Sequence, residues 1–411
     1  MPAELRAQPA PVGRWLAIVG IGEDGVDGLA DKARALISGA DMVFGGVRHL
    51  DLAAPLIRGE SRKWPVPFDV MPLLAHAGSR VCVLASGDPL LHGVGSTLLR
   101  HVPAEEMEIL PAPSAFSLAA ARLGWALQQV ETTSLHGKAI TRLRPLLHSG
   151  RRVLCLTSDA AAPSTIAAWL DELGFGPSRL IVLEALGGPR ERIRATTAER
   201  FALVDIHPLN LLAIEVEATS AARALPLTPG LPDDMFEHDG QITKREIRAL
   251  ALSALAPRRG ELLWDVGAGA GSVAIEWMLA DPSCRAIAIE ADQARAARIR
   301  SNASTLGVPD LHLVQGAAPA ALLDLPAPDA VFVGGGGSET GVLDAAIAAL
   351  KPRGRLVANA VTLEMEAILL ARHIEFGGEL TRIAVSRAAA VGSMSGWRPA
   401  MPVTQWSWVK P

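Results

Sequence analysis

The run Leu262-Leu-Trp-Asp-Val-Gly-Ala-Gly-Ala-Gly-Ser-Val-Ala-Ile-Glu276 decides the fold of this chain. It reads as a buried strand, Glu261 to Val266, then a glycine turn, then a helix from about Ser272. Asp265 stands near the strand's end, and Gly267, Ala268, Gly269, Ala270 and Gly271 form the turn. Glycine has no β-carbon, so such a turn lets backbone approach a ligand, and the next helix offers free N–H groups. Open α/β sheets bind ligands at this place, the carboxyl end of a strand. The dinucleotide fingerprint G-x-G-x-x-G needs a third glycine where this chain has Ser272. What remains is an acid followed by G-x-G-x-G. A carboxylate just before the turn suits the ammonium of an amino-acid-bearing nucleotide. Glu290 closes the next apolar run, Arg285-Ala-Ile-Ala-Ile-Glu290, where a carboxylate can hold both ribose hydroxyls. The plainer alternative is a tight βα turn with Glu290 as a solvated strand end.

Downstream, Asp292 to Leu306 reads as a helix and Leu311 to Ala317 as a third strand, whose loop should lie by an adenine. Gly316 and Ala317 are small there, as a flat ring requires. A fourth strand, Ala330 to Gly337, ends in four glycines, whose bare N–H groups suit an anionic or bulky substrate. Methyltransferases acting on base amines often carry Asn/Asp-Pro-Pro-aromatic at this point instead. Further strands are expected at Gly354–Asn359, Thr381–Ser386 and Pro402–Val409. Upstream, Thr243 and Glu246 have the spacing of a capping box, predicting a helix from Lys244 to about Leu255. That helix would lie over the ligand, with Thr243 in contact. Lys244, Arg245 and Arg248 are either a solvated face or receptors for substrate carboxylates.

Ala218 to Asp239 interrupts the strand–helix rhythm with Pro226, Pro229, Gly230 and Pro232, and marks a boundary. Before it, apolar strands end repeatedly in small residues: Trp15–Gly22, Ala40–Gly46, Arg80–Pro89 and Glu108–Ala115. Ser114 is placed to cap a helix over Ala115–Leu123. More strands are expected at Arg152–Thr157, Leu180–Glu184 and Asn210–Glu217, with a helix over Ser164–Leu173. Alternating strands and helices mean α/β. In a mainly parallel sheet, Gly20, Gly22, Gly87, Asp88, Ser114 and Ala115 would gather along one edge.

Composition narrows the function. The 411 residues suffice for two or three domains, and 49% are hydrophobic. The net charge of −4 with interspersed signs argues against nucleic acid as partner. No apolar run is long enough to span a membrane. The first dozen residues read as a loose arm without the apolar core of a signal peptide. Cys82, Cys155 and Cys284 are isolated among apolar neighbours and read as reduced thiols of a cytoplasmic protein. No Cys/His cluster has metal-ligand spacing, and no metal is expected. Tyrosine is absent, so a tyrosine acid is excluded.

The acid, the three glycines and Glu290 together resemble the first motif of the Rossmann-like S-adenosylmethionine-dependent methyltransferases. Gly20-Ile-Gly22, Ala85-Ser-Gly-Asp-Pro-Leu-Leu-His-Gly93 and Pro113-Ser-Ala-Phe116 resemble the ordered motifs of the tetrapyrrole (corrin/porphyrin) methylases, a different S-adenosylmethionine fold of two α/β lobes. Gly45-Gly-Val-Arg-His49 and Ser134-Leu-His-Gly137 point to the branch that methylates carbon 5 of precorrin-6Y. Thr243–Arg248, Trp264–Glu276 and Val331–Gly336 are similar to the carbon-15 methyltransferase/decarboxylases of precorrin biosynthesis.

The resemblances imply a two-lobed tetrapyrrole methylase fold followed by a Rossmann-like class I methyltransferase domain. The expected layout is an arm over 1–14, a methylase domain over 15–217, a linker over 218–237 and a second domain over 238–411. One S-adenosylmethionine is expected per domain. Gly87, Asp88, His92, Ser114 and Ala115 would touch it in the first domain, with Thr157 and Leu186 as further candidates from the second lobe. Thr243, Asp265, Gly267, Ala268, Gly269, Ala270, Gly271, Glu290, Gly316 and Ala317 would do so in the second. Glu23 departs from the proline often found after the first Gly-x-Gly in the methylases.

The implied chemistry is methylation of carbons 5 and 15 and loss of carbon dioxide from the C12 acetate, giving precorrin-8x in cobalamin biosynthesis. A homo-oligomer is implied, since related families assemble as dimers or tetramers. The catalytic acid or base is unassigned. Alternatives are a methyltransferase for another small molecule, a nicotinamide oxidoreductase, and a non-catalytic binding module in the first half.

Overall fold

The fold is that of a computed structural model, which describes residues 13–411. The expected N-terminal arm, apart from its last two residues, lies outside the described residues. The chain divides into two compact units: one runs to Lys138 and resumes over His148–Arg223, and the other takes Ala139–Leu147 and Ala224–Pro411.

The first unit holds two sheets. One contains β1 (Leu16–Ile21), β2 (Met42–Gly45), β3 (Glu60–Lys63), β4 (Val81–Ser86) and β5 (Met107–Leu110), in the order β3-β2-β4-β1-β5, all parallel. β1 is buried at every residue because helices cover both faces of a parallel sheet, which is why it reads as a continuous apolar run. β3, Glu-Ser-Arg-Lys, has no apolar signal at all. It is an exposed edge, where charge discourages further strand pairing. Helix α1 (Asp31–Gly39) buries Ala33 and Ile37 against Val19, Ile21 and Val43. The short α2 (Val47–Ala53), α3 (Met71–Leu74) and α4 (Val94–Leu98) complete this lobe.

The second sheet contains β6 (Val130–Ser134), β7 (Arg152–Leu156), β8 (Arg179–Glu184), β9 (Arg192–Thr197) and β10 (Asn210–Glu215), in the order β6-β7-β10-β8-β9. Only the β6–β7 pair is parallel. A mainly parallel arrangement therefore holds for the first sheet and not for this one. Between them, α5 (Ala115–Leu123) buries Phe116 and Ala119 against Leu154, Ile181 and Leu211. Helix α6 (Ala162–Glu172) buries Ile166 and Leu170.

In the second unit, α7 (Arg245–Leu255) precedes β11 (Leu262–Val266), α8 (Ser272–Ala280), β12 (Arg285–Glu290), α9 (Gln293–Thr305) and β13 (His312–Gln315). Then come β14 (Ala330–Val333), α10 (Val342–Ala349), β15 (Arg355–Ala360), α11 (Leu363–Phe376) and β16 (Glu379–Ile383). A hairpin of β17 (Ser386–Val391) and β18 (Met394–Pro399) leads into β19 (Val403–Val409). The main sheet has the order β13-β12-β11-β14-β15-β19-β16, with β19 antiparallel to its neighbours. The order reverses between β11 and β14, so the turns after them diverge and open a crevice at that switch point.

The proline-rich stretch read as a linker is not slack. Leu225, Leu231 and Phe236 are buried in one cluster with Ile275, Ala303 and Leu306. Gly230 and Leu231 donate their N–H groups to Glu276 at 2.6 and 2.9 Å.

Candidate functional site

Two sets of strand ends carry the residues expected to bind ligand, one in each unit. In the second unit, the N–H groups of Gly267 and Ala268 both donate to Ile289 O, at 3.0 and 3.1 Å, tying the turn to β12. Gly267 has φ +68°, and a Cβ there would overlap Gly335 O. Only glycine lets the loop after β14 touch this turn backbone to backbone. Gly271, also at positive φ, is the N-cap of α8, and the first-turn N–H groups of that helix lie just beyond it.

Asp265 is 1% exposed, and its Oδ2 accepts the Ala274 N–H at 3.0 Å. The sequence aimed this carboxylate at a ligand ammonium. The structure gives one of its oxygens to α8. Burial pushes its pKa up to about 7, and the Glu290 charge adds to the rise, against the Ala274 hydrogen bond. Glu290 accepts Gly269 N–H at 2.8 Å on one oxygen and Asp292 N–H at 3.0 Å on the other. Each carboxylate oxygen has a second lone pair, so capacity for two ligand hydroxyls remains. Gly316 N–H donates to Glu290 O at 2.9 Å, which sets Gly316 and the exposed Ala317 beside Glu290.

Three expectations are corrected here. Thr243 is not a cap: α7 begins at Arg245 with Lys244 as N-cap and no side-chain capping bond. The chain is already committed there, because the Arg248 guanidinium takes Thr243 O. Arg248 is neither a solvated face nor a receptor for substrate. It is fully buried and donates from Nε to Glu276 at 2.5 Å, and to Leu231 O. A buried carboxylate four residues into α8 was the partner that sequence distance concealed. Finally, the four glycines do not all present bare N–H groups. Those of Gly334 and Gly335 donate to Val266 O at 3.1 and 3.4 Å.

A segment that sequence reasoning missed covers the glycine turn. Gln241 O approaches Gly269 so closely that a Cβ there would lie 2.9 Å from it. Asp239 anchors the segment, accepting Gln241 N–H at 3.0 Å, Arg295 Nε at 3.0 Å and Arg298 Nη1 at 2.8 Å. These bonds, the backbone one foremost, hold its carboxyl well below the usual range.

In the first unit, the ends of β4, β1 and β5 lie side by side. Gly87 N–H donates to Ile21 O at 3.2 Å, and Ala112 N–H donates to Gly87 O at 3.0 Å. A Cβ on Gly20 would overlap Gly87 O, so the two turns meet only as glycines. Ser114 caps α5 as expected, its Oγ accepting Ser117 N–H at 3.1 Å, and Ala115 opens that helix. Asp88 Oδ1 accepts Leu90 N–H at 2.8 Å and shapes the loop. His92 is exposed at φ +57°, a backbone strain that recurs at functional sites, and its ring meets Phe116 edge-on at 6.3 Å. Burial and then Lys138 lower its pKa. From the second lobe, Leu186 is buried, and the Thr157 hydroxyl is buried against Asn210 O at 2.9 Å and Asn210 Oδ1 at 2.6 Å. That hydroxyl is already committed within the protein.

The sequence showed Arg48 and His49 without a role and missed Ser86. Arg48 pairs with Glu23 and donates from Nη2 to Ser86 Oγ at 2.7 Å. His49 Nε2 lies 2.8 Å from the same Ser86 oxygen. Glu23, the departure from the methylase pattern, is thus the counter-charge of Arg48. Among the described residues no group of three or more His, Cys, Asp or Glu converges as metal ligands. Nor, among them, is any helix long and apolar enough to cross a membrane.

Family models divide the chain in the same order as the sheets. The tetrapyrrole (corrin/porphyrin) methylases match residues 16–202, and the precorrin methyltransferase domain matches residues 234–410. A precorrin-6Y C(5,15)-methyltransferase (decarboxylating) of Sinorhizobium sp is 59% identical over 406 residues, 98% of both chains. The chain belongs to the precorrin-6Y C(5,15)-methyltransferase (decarboxylating) family. The Mycobacterium tuberculosis member is 41% identical, covering 96% of this chain and all of its own. A crystal structure of the C-terminal domain of the Rhodobacter capsulatus member is 51% identical, covering 45% of this chain and 100% of that one, with a TM-score of 0.43. Membership of the C(5,15)-methyltransferase family makes the chain a methyltransferase with S-adenosylmethionine as donor.

Proposed function

We propose that each unit binds one S-adenosylmethionine and transfers its methyl to a carbon of precorrin-6Y, carbon 5 in the first unit and carbon 15 in the second. In this reading the second unit also removes carbon dioxide from the C12 acetate, and the product is precorrin-8x of cobalamin biosynthesis. The observation that carries it is the pair of separate glycine cradles at strand ends, one around Gly20 and Gly87 and one around Gly267, in a chain similar along its length to a bifunctional enzyme.

The residues fit the donor. Close backbone approach suits a flat purine. Glu290 retains lone pairs for ribose hydroxyls beside Gly269. Asp265, once ionised, supplies a negative field for an ammonium beneath the turn. In this proposal Gly87, Asp88, His92, Ser114 and Ala115 line the first site. Asp265, Gly267, Ala268, Gly269, Ala270, Gly271, Glu290, Gly316 and Ala317 line the second. Thr243 remains a contact through its place beside the Gln241 segment rather than as a cap. When bound, the donor supplies an already activated methyl. The protein's task is then alignment and exclusion of water, which contributes several kcal/mol. For decarboxylation, the chain has only to bury and orient the acetate, since the conjugated macrocycle takes up the electron pair.

The same reading places the protein in the cytoplasm, supported by three buried thiols, with Cys82 and Cys155 pushed up by burial to about 12. It also makes the protein a homo-oligomer. The support is the β17–β18 hairpin, which among the described residues pairs as a strand only with itself and exposes Met394 (74%) and Trp397 (77%). An isolated hairpin is marginal in water, and exposed apolar patches mark interaction sites.

Calorimetry of the intact protein tests the donor stoichiometry, with two equivalents expected. Mass spectrometry of the macrocycle tests the reaction, with two methyls gained and one carbon dioxide lost. Uptake of one equivalent overturns the two-site reading.

A further inference from the structure

Arg48, His49, Ser86 and Glu23 converge at the carboxyl ends of β1, β2 and β4, next to Gly87. Arg48 carries only donors, so the His49 Nε2 that faces its Nη2 at 2.9 Å is the lone-pair nitrogen. Ser86 Oγ accepts from Arg48 at 2.7 Å and so points its own hydrogen at His49 Nε2, 2.8 Å away. Ser86 itself is exposed at the strand end, with the imidazole half-buried behind it. This is the layout of a hydroxyl backed by a base and oriented by a third group. Glu23 pairs with Arg48 and holds it in place, and Arg190 stands 3.7 Å from the other Glu23 oxygen. The imidazole is neutral at physiological pH, since burial and then the Arg48 charge pull its pKa down to about 4.

A carbon that bridges two rings carries one hydrogen. Replacing that hydrogen with methyl releases a proton; the glycine turns offer no acceptor for it, and Asp88 gives one carboxylate oxygen to Leu90 N–H at 2.8 Å. We propose that Ser86 and His49 are that acceptor: Ser86 Oγ takes the proton from the newly methylated ring carbon as it passes its own to His49 Nε2. The C–H bond breaks, its electron pair returns to the conjugated ring system, and the proton resides on the imidazole. Methylation leaves that carbon tetrahedral and puts a positive charge on the adjoining conjugated system, so its hydrogen is strongly acidic and a weak base suffices. The Arg48 charge then expels the proton to solvent and resets the pair. Ser86 is the catalytic residue in this scheme, Arg48 and Glu23 are positioning residues, and the scheme rests on the first unit acting at carbon 5.

The test uses the full-length chain and precorrin-6Y with hydrogen or deuterium at carbon 5. His49→Ala and Ser86→Ala are expected to slow methylation at carbon 5 by about a hundredfold or more, the usual span for losing a general base. The deuterium isotope effect should grow, and added imidazole should restore part of the His49→Ala rate. Donor uptake by calorimetry and methylation at carbon 15 should stay unchanged. In labelled wild-type protein, nitrogen NMR should find His49 Nε2 unprotonated at pH 7. Variants within about threefold of wild type overturn this proposal alone, being far short of a general-base effect. So does a rate loss accompanied by lost donor uptake in the first unit, which marks a structural role. Wild-type protein that leaves carbon 5 unmethylated overturns the functional reading together with it.

Discussion

The two cradles solve one geometric problem with opposite electrostatics. Around Gly267 the polar groups are acids: Asp265 and Glu290 are both buried, and each holds backbone N–H groups of the turn or of α8. Around Gly87 the turn acid Asp88 is only half-buried, giving one oxygen to Leu90 N–H, and the buried acid Glu23 is paired with Arg48, with a neutral imidazole beside it. In the proposed reading the second unit recognises the donor through acids at its turn, whereas the first relies more on shape and sets its proton-handling groups beside the cradle.

The largest effects should come from the close approaches of backbone. Gly267→Val puts a side chain into Gly335 O at a positive φ. Donor uptake by the second unit should weaken more than about a hundredfold, at about 1.4 kcal/mol per decade. The first unit should keep its equivalent in the same calorimetric trace, and Gly20→Val should do the reverse. Loss of both equivalents from either variant would break the comparison.

Next come the buried ion pairs. Glu276→Ala leaves Arg248, which has no solvent access, with only the half-buried Asp233 at 3.2 Å as carboxylate partner, and about 3 kcal/mol of stability should go. Glu184 in the first unit is equally buried, but its partners Arg192 and Arg194 are 45% and 23% exposed and can rehydrate. Glu184→Ala should therefore cost less than half as much. Denaturant melts of the two variants decide which order holds.

The pH dependence should separate the units further. The folded pKa of Asp265 is about 7 against 3.8 for the free group. Between those values the native state holds more protons than the unfolded one, so stability falls as pH rises from about 4 to 7. Donor affinity runs the other way. An ammonium favours the ionised carboxylate, so uptake by the second unit should tighten between about pH 6 and 8, by at most tenfold per pH unit. Asp265→Asn should flatten both trends. The first unit should show no matching change. The smallest effect should be Ser114→Ala, which removes the α5 cap and should cost about 1 kcal/mol in a thermal melt.

Legibility followed local chemistry. The Ser114 cap was readable because the hydroxyl and the N–H it accepts from lie three residues apart. Thr243 with Glu246 had equally good spacing and failed, because Arg248 and the chain around Leu231 reorganise that helix start through tertiary bonds. Strand β3 was invisible because an edge strand needs no apolar face. The lid formed by Asp239 and Gln241 was invisible because its anchors, Arg295 and Arg298, lie more than fifty residues away. Ser86 shows in the sequence only as part of the Ala85–Gly93 motif. Its meaning comes from Arg48 and His49, which follow a neighbouring parallel strand.

The sequence by itself determined the α/β class, the central strands, the glycine turns and the families they resemble. Those depend on side-chain size and on hydrophobic period, which act within a few residues. Only the tertiary structure decided that Arg248 is buried, that Asp265 serves α8, and that Ser86, His49, Arg48 and Glu23 meet. Strand order sets which distant turns become neighbours, and burial among those neighbours fixes the charge and hydrogen-bond partner of each group. No spacing along the chain encodes either one.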